Sequence, residues 1–254
     1  MSNSLHALGT SVTDLAELVA SLETDDLTRG AYPSEWSVAD TLSHLGSGAA
    51  IMTELLGATL AGASPPDDFM AATWDAWNAK SPRAQADDVI DVDRRLLEAL
   101  EAVDDAAAAA MRLPLGEDGT DFSTFVQHRL DEHVLHTWDV RVAFDPTATL
   151  LDEVVPEVLD GVAVTAEMSG KPIPAERTVV VHTFDPPRTL RLELGPDAVI
   201  IESASRLDRD LDELHLPAEA FVRLVYGRMD AEHTPHGVGG SVDLDELRGV
   251  FPGY

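Results

Sequence analysis

The stretch "LDEHVLHTWD", residues 130–139, interleaves two histidines and three carboxylates with apolar side chains. His128 lies just upstream, so a chain with nine histidines places three of them close together. Working outward, Phe122, Val126, Leu130, Val134 and Val140 interleave with Leu135 and Trp138, which puts apolar residues on more than one side of a helix. The run from about Phe122 to Phe144 therefore predicts a central, buried helix, and its neighbours must supply the faces it packs against.

Those neighbours are legible. Leu5, Leu8, Val12, Leu15, Val19 and Leu22 recur at three- and four-residue spacing, the mark of an amphipathic helix. "AYPSEW" reads as a turn, and Ser37 followed by Asp40 predicts a capping box for a helix from Val38 to about Leu60. Its first half, "TLSHLGSGAAIM", carries small residues that let another helix approach closely. "GASPPDD" interrupts; helical pattern resumes through "DFMAATWDAWNAK" and "ADDVIDVDRRLLEALEAVDDAAAAAM". "LPLGEDGTD" is a loop, and after "FDPTATLL" one more helix runs to near "SGKPIP".

The texture then changes. "TVVVHTF", "TLRLEL" and "AVIIES" are short, β-branched and separated by "DPP" and "GPD", which predicts an antiparallel meander. "PAEAFVRLVYGR" and "VDLDELRGVF" read as two closing helices. Helices first and strands second imply an α+β chain of two domains, with the boundary between residues 146 and 176.

The 254 residues carry 17 basic and 46 acidic side chains, a formal charge of −29. Such a field repels phosphate backbones and anionic lipid, which argues against nucleic acid and membrane as partners. No stretch approaches the roughly 20 apolar residues of a membrane span, and the N-terminal segment lacks a basic region before its apolar residues. The expectation is a soluble cytoplasmic protein, a monomer or weak homodimer. The chain has no cysteine, so disulfides, cysteine nucleophiles and thiolate metal sites are excluded together. Any thiol chemistry has to use a thiol carried by a small molecule.

Familiar catalytic signatures are missing: no G-x-S-x-G, no phosphate loop, no complete G-x-G-x-x-G. "HRLDEH" has one residue too many for the H-x-x-E-H metalloprotease spacing. What remains is the central helix. Glu132 and His136 are four apart and share a face, as do His128 and Glu132, while His133 points about 100° away. Asp139 lies a further turn along from His136 and Arg129 a turn back. Spacing alone leaves both pairs open, and either could be a simple ion pair.

A useful metal site needs a third ligand, and His44 is the candidate, in line with Gly48, Ile51 and Leu55 on a stripe expected to face the bundle interior. Bundles build metal sites from such inward histidines and carboxylates. Three ligands would leave an open position, the catalytic arrangement. In "FVRLVYGR", Arg223 and Arg228 are candidates to hold an anionic ligand, although most helix arginines cover apolar surface.

Here the residues carry a family resemblance. "YPSEWSVADTLSHLGSGAAIM", with Trp36, Ser37 and His44–Leu45, resembles the first metal-binding segment of the DinB-like superfamily in its actinobacterial branch, which includes the mycothiol-dependent maleylpyruvate isomerases. "DEHVLHTWDVRVA" resembles the second signature, through Glu132, His136 and Asp139. The tail is similar to the smaller domain that follows the bundle in these proteins.

The resemblance implies a metal-binding four-helix bundle over residues 1–172 and a small α+β domain with an antiparallel sheet over 173–254. It selects His44, Glu132 and His136 as the metal ligands and leaves His128 and His133 as bystanders. It implies Zn2+ or another divalent metal, and mycothiol as thiol cofactor. Asp139 is expected behind His136, and Arg228, with Arg223, as a catalytic or cofactor-binding contact to a substrate or thiol carboxylate.

The implied function is a metal-dependent isomerase that adds a metal-bound thiolate to a small electrophile, lets the bond rotate and releases the thiol. The alternatives are a mycothiol S-transferase, a non-catalytic binding or regulatory protein with a closed four-ligand metal, and a second domain that binds an apolar ligand.

Overall fold

The computed structural model describes residues 3–116, 119–204 and 211–253. The chain forms two compact units, Met1–Asp145 and Pro146–Tyr254.

The first unit is built on helices α1 (Asn3–Ala20), α2 (Val38–Leu60), α3 (Phe69–Asn78), α4 (Pro82–Glu101), α5 (Asp105–Ala110) and α6 (Phe122–Arg141). α1 packs on α6 and α4, and α2 packs on the same two, which closes α1, α2, α4 and α6 into a four-helix bundle. α6 is buried almost all round, with Phe125, Val126, Leu130, Val134, Leu135, Trp138 and Val140 in the core. That is the central helix its pattern predicts.

Local chemistry sets where α2 begins. The Ser37 hydroxyl accepts from the Asp40 backbone N–H, and the Asp40 carboxylate accepts from the Ser37 N–H at 2.9 Å, a complete capping box. Further along α2, a Cβ on Gly46 would lie 2.2 Å from the Trp77 ring. The glycine is what lets α3 lay its tryptophan against the α2 backbone.

A polar network crosses the bundle interior. Buried Asp93 on α4 pairs with Arg129 and, at 3.2 Å, with Nε2 of His133, both on α6. Nδ1 of His133 is 2.7 Å from the Ser11 hydroxyl on α1. Burial pushes the Asp93 carboxyl up, but the Arg129 and His133 charges and hydrogen bonds outweigh it and hold the pKa below the ordinary aspartate value.

The second unit contains α7 (Val155–Ser169), β1 (Arg177–Phe184), β2 (Arg188–Leu194), β3 (Val199–Ser203), β4 (Asp212–Pro217), α8 (Ala218–Val225), β5 (Gly239–Gly240) and α9 (Leu244–Val250). Among the described residues the strand order is β3-β2-β1-β4-β5. β1–β2, β2–β3 and β4–β5 are antiparallel, but β1 and β4 run parallel, with His182 opposite His215.

The expected antiparallel meander holds for β1, β2 and β3, but the parallel β1–β4 pair makes the sheet mixed and corrects the expectation of an antiparallel sheet throughout. The difference is β4, "DELHLP", where only Leu214 and Leu216 are buried, both on one face. After the first three strands the chain returns to pair with the free edge of β1.

α7 packs on α8 and β3, burying Val155, Val158, Leu159, Val162 and Ala166. It thus lies in the second unit, whereas the sequence boundary at 172/173 assigns it to the bundle. Periodicity shows that a helix has an apolar face, not which layer receives it.

Candidate metal centre

α2 and α6 bring together the side chains that their signatures single out. His44 Nε2 lies 3.0 Å from Glu132 Oε2, and His136 Nε2 lies 3.6 Å from the same oxygen. One ligand atom from each of His44, Glu132 and His136 falls within 4.8 Å of the others. Glu132 and His136 meet because they are one turn apart on α6. His44 reaches them from the facing helix.

The cluster is not sealed. His44 and Glu132 keep 38 % and 35 % of their side-chain surface exposed, and His136 keeps 10 %. The α2 stripe is accordingly buried at Ile51 and Leu55 but only partly at His44 and Gly48. Burial raises the pKa of Glu132, and the hydrogen bonds and charges of His136 and His44 overcome it, holding the carboxyl well below its usual range. Glu132 is thus ionised and presents an anionic oxygen between two imidazoles.

Fully buried Asp139 stands behind the cluster, its carboxylate 2.8 Å from Nδ1 of His136. A carboxylate accepts from Nδ1–H, which leaves Nε2, the atom turned toward Glu132, as the nitrogen that would give up its proton to a metal. Two converging imidazoles, one ionised carboxylate and a buried orienting carboxylate match the donor set and outer support of a zinc-type ion.

Trp36 is the residue whose role the sequence reading did not identify. Its ring centroid is 5.2 Å from that of His44 and 5.8 Å from that of His136, and the two imidazoles are 4.6 Å apart. The turn holding it is closed by Ala31 N–H donating to the Trp36 carbonyl and is tied to α6 by Tyr32 N–H donating to the Asp139 carbonyl. The signal was present: the "AYPSEW" turn runs directly into the cap of the helix that bears His44.

The other histidines of the stretch separate cleanly. His133 is buried in the Asp93 network and His128 is exposed. Arg129 is engaged by Asp93 and by the Leu45 carbonyl, away from a ligand role.

In the second unit, Arg223 is buried and forked onto Glu219, with Nε and Nη2 donating at 2.6 and 2.8 Å, and Nη1 donates to the His233 carbonyl. It is committed to holding α8 and the following loop. Arg228 is half-buried and donates to the Tyr226 carbonyl at 3.0 Å.

A four-helix bundle with a His–Glu–His cluster on facing helices, followed by an α+β unit, defines the class. Residues 8–141 match the family described as the mycothiol maleylpyruvate isomerase N-terminal domain, and the chain belongs to that family. Its fold is similar to the crystal structure of the mycothiol-dependent maleylpyruvate isomerase, with a TM-score of 0.67 and 14 % identity over 95 % of this chain and 93 % of that one. The crystal structure of a histidine-to-alanine mutant of that isomerase aligns with the same TM-score of 0.67, at 13 % identity over 95 % of this chain and 93 % of that chain. At these identities the likeness is one of fold. Comparison with curated proteins gives no match. Among the described residues no helix is long and apolar enough to cross a membrane.

Proposed function

We propose that this chain is a metal-dependent, mycothiol-using enzyme of the cytoplasm that acts on a small electrophile, with cis–trans isomerisation of a maleylpyruvate-like substrate as the leading reaction. The observation that carries the reading is the convergence of His44, Glu132 and His136 with Asp139 bonded to the far nitrogen of His136. Those three residues would hold a divalent ion such as Zn2+. The ion's contribution when bound is to stabilise a thiolate at neutral pH, as it stabilises hydroxide from water.

The chain's own residues prepare that chemistry. Asp139 fixes the tautomer of His136, and Trp36 covers one side of both imidazoles. Partial exposure of His44 and Glu132 leaves a side for a small thiol to approach. Because Asp139 is occupied with Nδ1 of His136, it favours a three-ligand open centre over the closed four-ligand centre of a non-catalytic protein. The lack of cysteine fits a thiol brought by a small molecule. The net charge of −29 supports a protein without nucleic acid or anionic membrane as partner, working as a monomer or weak homodimer.

Arg228 is the residue we assign to a substrate or thiol carboxylate. Arg223, the other candidate, would first have to give up a buried ion pair with Glu219.

The test is metal analysis of wild type beside His44→Ala and His136→Ala, followed by turnover of maleylpyruvate and of a generic electrophile with mycothiol. The reading expects metal in wild type, its loss in both variants and thiol-dependent turnover. An isomerase returns the thiol unchanged, whereas an S-transferase consumes one thiol per electrophile. Bound metal with no turnover of either substrate would favour the non-catalytic alternative.

A further inference from the structure

The sheet of the second unit carries a separate set of donors. His182 on β1 and His215 on β4 are register partners in the parallel pair, with ring centroids 4.8 Å apart and planes 13° from parallel. Glu213 lies two residues before His215, so the period of the strand puts it on the same face. Its Oε2 is 3.1 Å from His215 Nε2. One ligand atom from each of the three residues falls within 4.8 Å of the others.

From this arrangement we infer that His182, Glu213 and His215 form a second divalent-metal site, distinct from the bundle cluster, that clips β1 to β4. The backbone under it is fixed: β1 is hydrogen-bonded to β2 and β4, and β4 to β1 and β5. The donors are therefore placed by the ladder and need only side-chain rotation to converge. Thr189 on β2 brings its hydroxyl to 3.4 Å from Nδ1 of His182. With the hydroxyl accepting from Nδ1–H, the lone pair of His182 is on Nε2, the support a ligating histidine commonly has.

The space above the donors is open. Gly239 on β5 is the register partner of His215, and a Cβ built there would meet nothing within 4 Å. Glu213 and His215 keep 53 % and 48 % of their side-chain surface exposed, so water can complete the coordination. Two imidazoles and one carboxylate select a borderline ion such as Zn2+, Co2+ or Ni2+ over Mg2+ or Ca2+, which take oxygen ligands. The strands joined are far apart in sequence: the chain traverses β2 and β3 between His182 and His215. An ion that binds only the paired strands stabilises the folded unit by mass action.

The experiment uses the full chain without an affinity tag, in a His44→Ala background that removes a bundle ligand. Co2+ is titrated by its absorption, and the thermal midpoint is followed with Zn2+. Expected are one Co2+ equivalent in His44→Ala and its loss when His182→Ala or His215→Ala is added. A Zn2+-dependent rise in midpoint should disappear with it. Glu213→Gln, which keeps both imidazoles, should weaken binding by about tenfold or more. Uptake unchanged by His182→Ala and His215→Ala, or no uptake in His44→Ala, would overturn the assignment. Unaltered affinity in Glu213→Gln would overturn the three-donor set. Because the readout does not depend on turnover, failure here leaves the proposed enzyme reading separately testable.

Discussion

The carboxylate of Asp139 sits 2.8 Å from Nδ1 of His136, three residues earlier on the same helix, while Nε2 of that ring turns to Glu132. One buried acid thus decides which nitrogen of the candidate ligand faces a metal. Asp139→Asn keeps the volume but can offer its amide N–H where a carboxylate oxygen accepted. We expect metal affinity to fall by about 10–100-fold, the usual cost of losing such a partner. Chelator competition would measure it, with circular dichroism as the control for folding. Unchanged affinity would mean that His136 is oriented by something else.

Trp36 supplies an optical report on the same cluster. Its ring lies within 5.8 Å of both imidazoles, centroid to centroid. Co2+ bound among those rings should quench indole emission, and Trp36→Phe should abolish most of the change although Trp74, Trp77 and Trp138 remain. Quenching that survives intact in Trp36→Phe would place the ion elsewhere.

Gly46 tests how tightly the bundle is built. Alanine there would put a Cβ 2.2 Å from the ring of buried Trp77, so the ring or the helix that carries it has to shift. Overpacking of this kind costs about 1–3 kcal/mol. Urea unfolding of Gly46→Ala should register that loss, whereas Gly57→Ala, on the same helix with open space around it, should not.

Much of this was legible in the chain itself, for physical reasons that differ by element. α6 announced itself because a helix apolar on several sides has to be interior. The Ser37–Asp40 cap marked the start of α2 because both hydrogen bonds are local. β4 is not legible as a strand because Leu214 and Leu216 are its only buried residues, flanked by Asp, Glu and His. Its parallel pairing also depends on contacts across a long excursion. The choice between Glu132–His136 and His128–Glu132 rested on the family resemblance, since both pairs satisfy the spacing rule. The partner of Arg223 was readable, as Glu219 stands four residues earlier in "EAFVR". The partner of His133 was not, because Asp93 lies on another helix.

That last pairing yields a pH prediction. Asp93 is buried against Arg129 and His133, which hold its folded pKa below the ordinary value despite the opposing effect of burial. In the unfolded chain the same carboxyl titrates near about 3.9. The unfolded state therefore takes up the proton first as pH falls. The stabilisation is fully present above the unfolded pKa and is lost as pH drops through the folded one. Asp93→Asn should destabilise the protein by about 3–5 kcal/mol at pH 7, because the buried Arg129 charge loses its partner. The gap between wild type and variant should narrow below about pH 4, where wild type loses the same interaction by protonation. Denaturant unfolding of both proteins from pH 7 down to pH 3 measures it. A gap that stays constant across that range would show that the charge on Asp93 is not what stabilises the bundle, and that its shape and hydrogen bonding are.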